Sequence, residues 1–522
     1  MATTWQHLPL ELVYMVFEIL LVQPCERRRP KSTYATVSKE WQIFFERHNF
    51  HRLVLRQSQI TNFGHFFHGR RRGLLRHLWL RIELPEYNSV ASINHEVARE
   101  IKKHSRIVTR ALRKLLNVLS SWEKEDAELT LELSVHSPSD SKHFIPEYSL
   151  IPDIYPDPSK EDCTYEDFHA HMSRQRRGYS SYHLLTKQRQ RGRIFSRRVE
   201  IDETATMLED GQPARAQVVN KLLIRRQHVC PIEPEALFTI IKSLPGLESI
   251  SLEAEPIFTK GPELGRLLAD YLQSNKSIKA LSIFEDKQGP LFRNTIRTFD
   301  TDLLPGAAFA RDSCLLEHLS VSFAIDARAF FQDFWPYHLP VPLVPLVEKH
   351  QEPYQREANG ANTGQKLGTA ADKKWPNLKT LALTSALLHP GSPNSTIDDL
   401  FQAAANAAAE MPSLRTMAIW NHDQGSNVVC IFQYRRFGEL GCPTIYLNST
   451  WGHRLPPRVI RRWSEATQGG FDVTVREQNL DLGRFKVGYK SCGGVVDHLE
   501  LGRFVVQPVS KCQLMWEAEE PA

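Results

Sequence analysis

A chain of 522 residues, 41% hydrophobic and 24% charged, has the composition of an ordinary soluble globular protein and the length for a substantial core in more than one domain. Its formal charge of +5 is small for that length and implies no general affinity for nucleic acid. Its eight cysteines stand without paired spacing, which excludes a CxxC motif and a disulfide framework and points to a reducing compartment.

Leu8-Pro9 opens the first apolar run, LPLELVYMVFEIL. Pro9 suits the opening turn of a helix, where its missing N–H is harmless, and Glu11 favours the positive end of the helix dipole. Leu12, Val16, Ile19 and Leu20 then recur at helical spacing as one apolar stripe. In a second run, TYATVSKEWQIFF, Ser32 is a candidate cap, and Val37, Trp41, Phe44 and Phe45 repeat the pattern. A module below about forty to fifty residues usually needs a partner to be stable, so its surplus apolar surface is a candidate docking surface. The alternative is a helix pair whose stripes are simply core. A signal peptide does not fit, because no basic segment precedes the run and Glu11 and Glu18 interrupt it. No segment approaches the roughly eighteen unbroken apolar residues that span a bilayer, so the cytosol or nucleus is the expected location.

These residues resemble an F-box. The resemblance rests on Leu8-Pro9 with Glu11-Leu12, on Ile19-Leu20, on VSKEW from Val37 to Trp41, and on the exit Leu53-Val54-Leu55. It implies an F-box domain over residues 1–55 that docks on a Skp-type adaptor of a cullin–RING (SCF-type) ubiquitin ligase. The docking residues would be Leu8, Pro9, Leu12, Val16, Ile19, Leu20, Val37 and Trp41. The rest of the chain would select the substrate, with no cofactor and no bond chemistry of its own.

Past residue 70 a short pattern returns: an apolar residue, two others, then apolar-x-apolar. It occurs as Leu75/Leu78/Leu80, Leu247/Ile250/Leu252, Ile278/Leu281/Ile283, Leu316/Leu319/Val321, Leu378/Leu381/Leu383 and Leu414/Met417/Ile419, with Leu129/Leu131/Leu133 as a partial copy. Alternation turns one row of side chains inward from a short strand. Helical stretches such as Glu263 to Gln273 and Ile397 to Met411 lie between copies, which implies parallel strands with crossover helices. The pattern resembles leucine-rich repeats, although the later copies start 31, 38, 62 and 36 residues apart and lack the usual Asn. The expected class is therefore α/β: a helical F-box, an irregular repeat-like α/β solenoid over 70–345, and a mixed α+β part over 375–522. Unrelated strands of an ordinary α/β domain remain the alternative.

Residues 137–162 read as an extended loop, and 346–374 as a flexible polar linker. NVVCIFQYRR and CPTIYLNSTW read as strands of a hairpin or meander, PPRVIRRWSEAT as a helix, and FDVTVRE and VVDHLELGRFVVQ as closing strands. The whole arrangement is similar to F-box proteins of filamentous fungi whose C-terminal region has no assigned activity.

Met172 to Val199 is the strongest charge feature. It holds Arg174, Arg176, Arg177, Arg189, Arg191, Arg193, Arg197 and Arg198 and no acid, with Tyr179, Tyr182 and Phe195 interleaved. Such a mix suits an anionic partner, whether nucleic acid or an acidic or phosphorylated protein. It equally suits a solvated face or a nuclear-import patch. The pairs His48/His51, His65/His68 and His169/His171 lack the further ligands a zinc site needs, so no metal is expected. GRFKVGYKS places Tyr489 where a phosphate loop requires Lys, and no GxSxG, HExxH or GxGxxG occurs. A plain interaction scaffold and a nucleic-acid-binding protein using residues 172–199 are the rival readings.

Overall fold

The computed structural model describes residues 8–22, 31–88, 91, 96–143, 164–176, 197–201, 203–208, 211–226, 232–254, 261–285, 306–336, 375–423, 425–436, 442–467, 472–480 and 491–519. The chain divides into two units. The first comprises residues 1–260 and Val506–Trp516; the second comprises Gly261–Val505 and the last six residues.

In the first unit, helix Leu10–Val22, a 3-10 turn Lys31–Thr36 and helix Lys39–Asn49 lead into a parallel sheet. Its strands are β1 (Arg52–Arg56), β2 (His77–Glu83), β3 (Leu129–His136), β4 (Val219–Ile224) and β5 (Ser249–Ala254), side by side in chain order. Register explains the sequence pattern. Leu53, Leu78, Leu131, Leu222 and Ile250 are successive partners, so the recurring apolar position forms a column across the sheet. Leu55, Leu80 and Leu133 form a second column two residues on. All but the half-buried Leu53 are buried, as the period of two requires for one face of a covered sheet. Helix Ala98–Leu119 covers strands through Ile101, Val108, Leu112, Leu115 and Leu119, one stripe at helical spacing.

The second unit continues the motif with β6 (Ala280–Glu285), β7 (His318–Asp326), β8 (Thr380–Thr384) and β9 (Thr416–Asp423), again parallel and in order. Leu281, Leu319, Leu381 and Met417 are partners in one column, and Ile283, Val321, Leu383 and Ile419 in the next. Each strand is delivered in the same way. The N–H of Leu316 closes a turn on the carbonyl of Ser313, and that of Leu414 on Met411. The carbonyl just before a strand then accepts two N–H groups from the next: Lys279 from Glu317 and His318, Glu317 from Lys379 and Thr380, Lys379 from Arg415 and Thr416.

After β9 the direction changes. β10 (Val428–Arg435) is antiparallel to β9 and to β11 (Thr444–Ser449), and β12 (Thr474–Asn479) runs parallel to β11. The expected meander and the helix Pro457–Ala466 are therefore present. Helix Asn394–Ala408 packs its alanines flush, and Phe401 stacks on Phe432 at 4.5 Å.

Two expectations differ. VVDHLELGRFVVQ forms helix Cys492–His498 and a 3-10 turn Gly502–Phe504 instead of strands. Ser491 caps that helix by accepting from the Gly494 N–H at 2.9 Å, which offsets the low helix propensity of Gly493 and Gly494. Part of the expected loop at 137–162 is the helix Pro138–His143; its remainder lies outside the described residues. The expected linker 346–374 also lies outside them; the strands on either side of it, β7 and β8, are hydrogen-bonded neighbours in one unit. Among the described residues no helix is long and apolar enough to cross a membrane.

Candidate partner-docking surface

Helix Leu10–Val22 is apolar on two sides. Val13 and Phe17 are buried against Phe45, with Leu20, Leu21, Tyr34, Trp41 and Phe44 packed around them. The ring of Phe17 lies 4.8 Å from those of Trp41 and Phe44 and 5.4 Å from Phe45, and Trp41 stacks on Phe45 at 5.5 Å. This aromatic cluster gives the helix pair its own small core. Helix Lys39–Asn49 starts where Ser38 accepts from the Trp41 N–H, so Ser38 is the cap; Ser32 lies in the preceding 3-10 turn. Pro9 stands just before the first turn of its helix, its carbonyl accepting from Leu12 and Val13.

The helix pair is anchored at its far end. Glu46 is buried and receives Arg70 and Arg71, each at 2.8 Å, and Gln42 at 2.9 Å. Burial pushes its carboxyl up, but the hydrogen bonds from Arg71 and Gln42 and the two guanidinium charges outweigh burial and hold it below the ordinary range.

The other side of helix Leu10–Val22 is uncovered. Leu8, Leu12, Met15, Val16 and Ile19 follow one another at helical spacing and all are exposed, Leu12 at 45% and Ile19 at 55%. Val37, 60% exposed, precedes the second helix. Six of the eight expected docking residues (Leu8, Pro9, Leu12, Val16, Ile19 and Val37) are thus exposed. The other two are corrections. Leu20 and Trp41 turn toward the internal cluster, because the buried stripe runs through Val13 and Phe17 and not through Leu12 and Val16. Met15 was missed, although its i+3 spacing from Leu12 marks it for the same face.

The basic segment divides differently. Arg177, Arg189, Arg191 and Arg193 lie outside the described residues, and Arg174 and Arg176 end the helix Tyr165–Arg176. Arg198 is exposed, 3.7 Å from Glu200. Arg197 is the clear correction: it is 1% exposed and its guanidinium is spent inside the protein. Its Nη1 and Nη2 meet the two oxygens of Asp140 at 2.8 and 3.0 Å, and its Nε meets Glu96 at 3.0 Å. Tyr87 also donates to Asp140, at 2.8 Å, and His104 lies 3.1 Å from Glu96. Such a closed network leaves Arg197 nothing to offer a partner.

A second buried network sits on the β2–β4 face. Glu132 receives Arg225, His77 at 2.7 Å and, further off at 3.6 Å, Arg52. Burial raises its carboxyl, yet the Arg225 charge and the His77 hydrogen bond prevail and hold it at about 2. His77 itself is lowered, chiefly by burial, so its contact with Glu132 is the hydrogen bond of a neutral imidazole. Among the described residues no three His, Cys, Asp or Glu side chains form a group able to hold a metal ion. GRFKVGYKS lies almost wholly outside the described residues.

No curated protein matches this chain. Residues 273–507, mostly the second unit, match the sequence model of a family of unknown function (DUF6546).

Proposed function

We propose that the chain is a non-catalytic substrate adaptor of a cullin–RING, SCF-type ubiquitin ligase. Helices Leu10–Val22 and Lys39–Asn49 form an F-box-like module that docks on a Skp-type adaptor. The strands that follow form an irregular, leucine-rich-repeat-like solenoid that presents a target protein. One observation carries this reading: the module completes its own core with one face of helix Leu10–Val22 and leaves Leu8, Leu12, Met15, Val16 and Ile19 uncovered on the other. A helix with a second, uncovered apolar face is a natural docking element, so a second chain is the natural cover. The repeated strand entries and apolar columns of β1–β9 support the solenoid half of the proposal. The chain's contribution would be proximity, holding a target's lysines near the ligase's loaded enzyme.

Co-purification of wild type against a Leu12→Asp, Val16→Asp double variant tests the proposal. Both positions are exposed, so the fold tolerates the carboxylates, whereas a covered interface would have to bury two unpaired charges. Loss of the Skp-type adaptor and cullin from the variant alone is the expected result. Their retention, or their absence from wild type, overturns it.

A further inference from the structure

The solvent side of helix Ala98–Leu119 is a stripe of positive charge. Arg99, Lys102, Lys103, Arg106, Arg110 and Lys114 are all exposed, and Glu100 is the only acidic residue in the helix. At 100° per residue the six fall within one third of the helix circumference, a row about 22 Å long. None of them makes an ion pair or a side-chain hydrogen bond among the described residues. Some other exposed arginines of this unit do find partners, as Arg70 does with Glu46 and Arg198 with Glu200. Even Arg113, on the flank of the same helix, turns away to the carbonyls of Met207 and Leu208.

Pairs 99/103, 102/106, 106/110 and 110/114 stand four residues apart, where like charges weaken a helix. No counter-charge relieves this self-repulsion among the described residues, and an anionic partner would supply the relief.

We propose that this stripe binds an extended acidic segment of another protein, one with Asp or Glu at alternate positions. Apart from the adjacent Lys102 and Lys103, successive cations are about 4.5–6 Å apart along the axis. Alternate side chains of an extended peptide repeat at about 6.6 Å and lie on one side, a comparable spacing. No aromatic ring lies within the stripe to stack a base, and no apolar side chain lies within it to enter a membrane. With a net charge of only +5 on the chain, the positive field is local, which suits a short acidic stretch better than a long polyanion. The proposal stands independently of the ligase reading.

The test uses the full chain and a fluorescein-labelled peptide of alternating Glu and Ser, with a Gln–Ser peptide and single- and double-stranded DNA of equal length beside it. At low salt the Glu peptide binds and the Gln peptide does not. A Lys102→Gln, Arg106→Gln, Arg110→Gln variant binds it at least about tenfold more weakly, while its melting temperature holds or rises because the repulsion is gone. A Leu12→Asp variant binds the Glu peptide as wild type does. Equal binding of the Glu peptide by wild type and the triple Gln variant, or no preference over the Gln peptide, overturns the proposal. DNA binding about tenfold tighter than the Glu peptide, and lost in the variant, makes the stripe a nucleic-acid surface and also overturns it.

Discussion

At Glu132 a single carboxylate balances the charges of Arg225 and Arg52 and holds the neutral His77 ring. Removing its charge breaks the buried ion pair with Arg225, a loss that typically costs about 3–5 kcal/mol. Glu132→Gln is therefore expected to lower the stability of the first unit by that order, read as a shift in the urea midpoint. The pH dependence follows from the same groups. Glu132 titrates at about 2 when folded against an ordinary 4.5, so its contribution is complete above the ordinary value and is lost as pH falls toward 2. His136 is held down to about 4, by burial first and by the Arg81 charge second. A lowered imidazole lets the unfolded chain take up protons first, so stability already falls as pH drops below about 6.5. Melting temperature is expected to decline from pH 7 to pH 5, and His136→Asn to flatten that slope. A slope unchanged by the substitution would exclude His136 as its source.

These residue-scale networks were not legible in the sequence. Arg197 sits in an acid-free stretch and reads locally as a free cation, yet its partners Asp140 and Glu96 are 57 and 101 residues away. No local spacing encodes such a pairing; only the fold brings the three together.

At the scale of elements, periodicity did carry information. The apolar-x-x-apolar-x-apolar pattern located the inward columns of β2, β3 and β5–β9, because strand side chains alternate and parallel register aligns like positions. The same pattern is present as Val219/Leu222/Ile224 in β4, where it was overlooked. In the segment ending VVQ, valines and phenylalanine suggest strands, but the Ser491 cap starts a helix that buries Val495 and Val496. Helix Leu10–Val22 is present where the apolar run places it, but a helix apolar on two sides does not reveal which one its neighbour covers, and Leu20 packs inward with Trp41 of helix Lys39–Asn49.

Phe17 decides whether that helix holds. It is fully buried among three rings, and Phe→Ala truncation in a core typically costs about 3–5 kcal/mol. Phe17→Ala is expected to detach helix Leu10–Val22 from helix Lys39–Asn49 while the β1–β5 sheet stays folded. Amide exchange would show it as loss of protection confined to residues 10–22. Uniform loss across the first unit would contradict it.

At the scale of the whole molecule the account assigns roles to separate surfaces. The exposed face of helix Leu10–Val22 is assigned to a Skp-type adaptor, and the basic side of helix Ala98–Leu119 to an acidic protein segment. Helix Leu10–Val22 is held by helix Lys39–Asn49 through Phe17 and Phe45, whereas helix Ala98–Leu119 buries its own apolar stripe. The second unit, which carries most of the match to the family of unknown function, contains the antiparallel ending β10–β12 and would belong to target selection.

The most direct test is amide hydrogen exchange on the full chain with and without purified Skp-type adaptor. New protection centred on residues 8–22 and around Val37, and absent in the Leu12→Asp, Val16→Asp variant, is the predicted result. Unchanged exchange over those residues at saturating adaptor would contradict the assignment.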